Sequence, residues 1–98
     1  MTINKETKGS ALTIALDGRL DTVTAPQLET ELKASIEGVT ELTFDFAKLV
    51  YISSAGLRVL LSAQKTMNKQ GSMKLINVGD EIKDIFDVTG FADILTIE

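Results

Sequence analysis

The 98-residue sequence contains no cysteine and no histidine, and a single proline. Without histidine and cysteine there is no Ser-His-Asp or Cys-His catalysis, no thiol redox chemistry and no ordinary zinc site. A hydrolase or metalloenzyme is therefore disfavoured, and only a carboxylate-bound magnesium site stays open. No apolar run approaches the ~20 residues of a membrane span. The opening Met1-Thr2-Ile3-Asn4-Lys5-Glu6 has no signal-peptide apolar core, so the cytoplasm is the expected compartment and membrane insertion is not expected. What is present is ordinary globular composition, 44% hydrophobic and 24% charged, enough for one domain over residues 1–98.

Charge is unevenly placed. Residues 1–45 hold 4 basic and 8 acidic side chains, residues 46–79 hold 5 basic and none acidic, and residues 80–98 set Lys83 against 6 acids. Five scattered cations on a chain of net charge -4 make a poor case for direct nucleic-acid binding, and a solvated helix face explains them more simply. A local positive field would nevertheless suit an anionic group placed there.

The periodicities give an element order. Thr2 to Thr7 and Ala11 to Leu16 read as a hairpin about Lys8-Gly9-Ser10. Asp17 to Asp21 reads as a loop. Thr24-Ala25-Pro26-Gln27 has the form of a capping box with proline in the first turn, and Ala25, Leu28, Leu32 and Ile36 form an inner stripe ending near Gly38. Leu42, Phe44 and Phe46 alternate as a strand. A second helix is predicted from about Ala55 to Asn68, with Leu57, Leu60, Leu61, Gln64 and Met67 inward and Arg58, Ser62, Lys65 and Lys69 outward. Lys74 to Val78 is a strand. Asp80 is placed to cap a third helix with Ile82, Ile85 and Phe86 inward, Gly90 closes it, and Ile94 to Ile97 forms a last strand. The order β-β-α-β-α-β-α-β predicts an α/β fold with a mixed, mainly parallel sheet and one face less covered.

Between the third strand and the second helix stands Tyr51-Ile52-Ser53-Ser54-Ala55-Gly56-Leu57. A serine at a helix start meets unpaired backbone N–H groups and the positive end of the helix dipole, which suits a plain cap and equally suits a phosphate. Either Ser53 or Ser54 can be that cap. Gly56 reads as a close-packing residue or as room for a partner, and Asp21 as a capping acid or as part of a partner surface. Arg58 lies one turn into the helix on its outer face, where it can attract an acidic partner patch or pair with a phosphate on Ser54.

Two segments together resemble the STAS domain family found in bacterial anti-sigma-factor antagonists. They are Asp17-Gly18-Arg19-Leu20-Asp21 followed by Thr24-Ala25, and Phe44-Asp45-Phe46 followed by Tyr51 to Leu57. The resemblance implies a single STAS-like domain whose phosphoacceptor falls on Ser54. It makes Asp21 part of the partner-binding surface and gives Ser53 the position that orients the acceptor, with Gly56 as the family's following glycine. The family's aspartate before the acceptor is Ser53 here, and its hydroxyl residue after the acceptor is Ala55. The implied partners are an anti-sigma factor serine kinase that uses ATP and a metal-dependent serine phosphatase. The protein itself would be no enzyme and carry no cofactor. A second use of the family, as a constitutive cytoplasmic subunit of a membrane lipid transporter, needs no phosphate and is the alternative expectation.

Overall fold

The computed structural model describes all 98 residues. Strand β1 (Thr2–Lys8) turns through Gly9 and Ser10 into β2 (Ala11–Leu20), and helix α1 (Ala25–Ser35) leads to β3 (Glu41–Ile52). Helix α2 (Ser54–Gln70), β4 (Ser72–Ile76), α3 (Asp80–Thr89) and a single 3₁₀ turn (Phe91–Asp93) follow. The sheet runs β1-β2-β3-β4, antiparallel between β1 and β2 and parallel elsewhere, as the element order predicts.

Alternation along the strands decides where the core lies. Leu12, Ile14 and Leu16 of β2, Leu42, Phe44 and Phe46 of β3, and Met73 and Leu75 of β4 are buried. They form one cluster with Leu28 and Leu32 of α1, Leu60 and Met67 of α2, and Ile82 and Phe86 of α3. The intervening Thr13, Ala15, Thr43 and Asp45 are only half-buried, so one face of the sheet carries the helices and the other is barer. Each large aliphatic or aromatic side chain so buried contributes on the order of 1.5–3 kcal/mol. On α2 Val59 and Ala63 join Leu57, Leu60, Gln64 and Met67 in the buried face, while Leu61, expected inward, is only half-buried. No helix is long and apolar enough to cross a membrane.

Strand β4 lies two residues earlier than the expected Lys74 to Val78, because Asn77 turns the chain at φ 56°, and four further local readings change. Asp17 to Leu20 is not loop, because β3 runs on to Ile52 and offers it a partner: Gly18 pairs with Leu49, Arg19 with Tyr51 and Leu20 with Ile52. Irregular register on either side of Asp17-Gly18, with Gly18 at φ 114°, accommodates the extension. Thr24 and Gln27 form no capping box. The Thr24 hydroxyl accepts from the Asp21 N–H at 2.9 Å and donates to the Arg19 carbonyl at 2.7 Å, while the Gln27 amide donates to the Met1 carbonyl at 3.4 Å. Gly79, not Asp80, is the N-cap of α3, and Asp80 and Glu81 instead place negative charge in its first turn. The terminal strand is reduced to one parallel bridge between Ile97 and Leu75, tied by Leu75 N–H to the Thr96 carbonyl and Glu98 N–H to the Leu75 carbonyl, both at 2.9 Å. Ile94 and Leu95 are unavailable to a longer strand because their N–H groups donate back to the Phe91 carbonyl at 3.0 and 2.8 Å.

Candidate functional site

Parallel pairing of β2 with β3 brings two chain crossings to the same end of the sheet. The Ser53 N–H donates to the Leu20 carbonyl at 2.9 Å, so the exit of β3 is stitched to the exit of β2 just before each chain enters its helix. This stitch sets Asp21, in the loop after β2, beside the start of α2 at Ser54.

The two serines divide their work. Ser53 is the N-cap, extended at φ -100° and ψ 174°, and its hydroxyl accepts from the Gly56 N–H at 3.4 Å. Ser54 is the first residue of α2. It is exposed, and its hydroxyl enters no hydrogen bond within the chain. The first amides of α2 have no intrahelical acceptor beyond that cap, so Ser54 Oγ stands at a positive helix end with no acidic side chain in the first turn.

Gly56 is buried and faces inward. A Cβ there would lie 2.7 Å from Leu20 Cγ and 2.9 Å from Ile52 Cγ1. The glycine lets α2 start flush against the ends of β2 and β3. Gly56→Ala is expected to cost about 1–3 kcal/mol through overpacking. An unchanged urea midpoint would show instead that Leu20 and Ile52 step aside.

Asp21 is half-buried and well anchored. Its Oδ1 accepts from the N–H groups of Val23 and Thr24, both at 3.0 Å, and Oδ2 lies 3.7 Å from Arg19 Nε. The Thr24 N–H holds its carboxyl below the ordinary carboxylate range. Partial burial opposes this, and the Thr24 hydroxyl, the Val23 N–H and the Arg19 charge add to it. The stability this anchoring contributes is present above the ordinary carboxylate pKa and is lost as pH falls through the lowered one.

Arg19 continues the arrangement. Its guanidinium carbon lies 4.3 Å from the centroid of the Tyr51 ring, a cation–π stack at the end of the sheet. Val23, 85% exposed, and Val50, 65% exposed, add apolar surface to the loop after β2 and the end of β3. Arg58 is exposed, pairs with no acid and lines a groove of about 300 Å³ between α1 and α2.

The structure thus brings Asp21, Ser53, Ser54 and Arg58 to one end of the fold and turns Gly56 into the packing beneath them. The sequence reading missed Arg19, Thr24 and Tyr51 as members of this group. The signal for Thr24 lay in Asp21-Thr22-Val23-Thr24, where an acid followed by threonine three residues on can tie its own turn.

Comparison with known proteins agrees with the fold. The family model described as the STAS domain matches residues 2–98. BtrV of Bordetella bronchiseptica, a candidate anti-sigma factor antagonist, is 35% identical over 88 residues, spanning 88% of this chain and 76% of that protein. The anti-sigma-B factor antagonist of Bacillus subtilis is 32% identical over 100 residues, 99% of this chain and 92% of that protein. Among solved structures, the Bacillus anti-sigma factor antagonist SpoIIAA shares the fold at 20% identity. Its unphosphorylated form superposes with a TM-score of 0.79 over 99% of this chain and 87% of that one. Its phosphorylated form gives 0.77 over 99% and 91%.

Proposed function

This chain belongs to the STAS domain family and groups with the anti-sigma-factor antagonists, and from that premise we propose that it is a phosphorylation-switched, non-enzymatic regulator. Unphosphorylated, it docks on an anti-sigma factor serine kinase and frees a sigma factor. Phosphorylated on Ser54, it lets go. A metal-dependent serine phosphatase returns it to the docking form.

One observation carries the reading: Ser53 takes the capping role, which leaves the Ser54 hydroxyl exposed and uncommitted at the start of α2. In the transfer, Ser54 Oγ bonds to the γ-phosphorus of ATP as the bond to ADP breaks, and the hydroxyl proton passes to a base of the kinase. The product adds roughly -1.5 to -2 charge and three acceptor oxygens to the docking surface. The helix-start amides already face that position, and Arg58 stands four residues on, one turn along the same side of α2. Support for the switch also comes from SpoIIAA, which has been solved in both an unphosphorylated and a phosphorylated form.

The test is direct. Incubated with the cognate kinase and ATP, the protein is expected to be labelled on Ser54. Ser54→Ala abolishes the label, and Ser53→Ala, which removes only the cap, slows it. Full labelling of Ser54→Ala would move the acceptor elsewhere and sink the assignment.

A further inference from the structure

The groove between α1 and α2 does not end at Arg58. A second, narrower recess of about 60 Å³ continues it, sharing Glu29, Val59 and Ser62 with the first and reaching Thr66. From Ala55 to Thr66 the groove follows α2 for about 16 Å, three turns. Its floor is apolar, with Ala25 and Leu32 from α1 and Val59 and Ala63 from α2 all buried.

The solvent side of α2 next to this groove is basic and unneutralised, although of its cations only Arg58 lines the groove itself. Ser54, Arg58, Ser62, Lys65 and Lys69 fall within about 80° of one another around the helix axis, all exposed. Arg58, Lys65 and Lys69 make no ion pair, although the chain as a whole is acidic. The opposite wall offers them little. Glu29 lies in the groove but is held by Lys33 at 3.2 Å, one turn along α1. An apolar floor beside a stripe of free cations matches a helix with one apolar face and acidic residues along one edge.

We infer that the α1–α2 groove seats an acidic amphipathic helix of a partner protein, with Arg58, Lys65 and Lys69 as its charge guide. The inference rests on the proposed docking of an anti-sigma kinase and extends it: the partner reaches past the Ser54 loop and lies along α2. Charges at the rim of an interface act mainly on the association rate and its salt dependence.

The experiment compares the parent, the double variant Lys65→Glu/Lys69→Glu and Ser54→Asp, each binding the cognate anti-sigma kinase in a surface-plasmon assay at low and high salt. The double variant is expected to associate about tenfold more slowly at low salt, with a flattened salt dependence and an unchanged melting temperature. Association equal to the parent at both salts overturns the inference. If Ser54→Asp loses docking while the double variant docks like the parent, the groove has no part and the switch stands. If the double variant weakens docking while Ser54→Asp does not, the groove stands and the switch falls. Vesicles of phosphatidylglycerol form a further arm. Their capture by the parent but not by the double variant, with kinase docking untouched, assigns the stripe to a membrane surface and also overturns the inference.

Discussion

Leu60→Ala is expected to lower the stability of the protein by about 2–5 kcal/mol, the cost of deleting a fully buried leucine and leaving part of its volume empty. Leu60 is 0% exposed and lies on the face of α2 that closes over the sheet. In a chain of this length each kcal/mol moves the melting temperature by roughly 4–8 °C, so a fall of at least about 8 °C should appear in a thermal scan. Lys65→Ala is the control. It removes an exposed side chain without an ion pair and should stay within about 0.5 kcal/mol of the parent. Matching melting curves would mean that α2 is rotated from its assigned register. Ser54, Arg58 and the basic flank would then no longer share a side.

Ser54→Asp is expected to weaken docking on the anti-sigma kinase by about a hundredfold, roughly 3 kcal/mol, while Ser54→Ala docks like the parent. The reason lies in the site. An exposed hydroxyl with no internal partner can be removed without disturbing the fold, whereas an added anion must be desolvated inside the interface. The aspartate does not harm the fold, because a negative charge in the first turn of a helix is favourable by about 0.3–1 kcal/mol. Lost docking with unchanged or improved melting therefore isolates the electrostatic effect from unfolding. Equal affinity of parent, Ser54→Ala and Ser54→Asp in calorimetry would remove the switch and bring forward the permanent transporter subunit.

Legibility from the sequence followed the range of the interactions. Alternation in Leu42-Thr43-Phe44-Asp45-Phe46 and the 3.6-residue spacing of Leu57, Leu60 and Met67 reflect burial by whole layers, and these elements are found where the pattern puts them. The Asp17 to Leu20 extension is illegible in the sequence because a strand is defined by its partner, and its partner lies about thirty residues away at Lys48 to Ile52. The choice between Ser53 and Ser54 as cap was equally hidden. It is decided by where β3 releases the chain, and that is set by the Ser53–Leu20 backbone bond. Asp21 was visible as a candidate, but its role in tying Val23 and Thr24 is a matter of hydrogen-bond geometry within one turn. Gly56 carried two readings in the sequence, and the contact distances to Leu20 and Ile52 show the packing role.

The stack of Arg19 on Tyr51 gives the molecule an optical address. Tyr51 is the only tyrosine and there is no tryptophan, so emission excited beyond the phenylalanine absorption band arises in the free protein from a single ring at the end of the sheet that carries Ser53 and Asp21. That ring is 38% exposed and lies under a cation tethered to Asp21. Whatever approaches this end of the fold alters the surroundings of its one tyrosine, and an unlabelled sample reports on the loops of interest without any engineered dye.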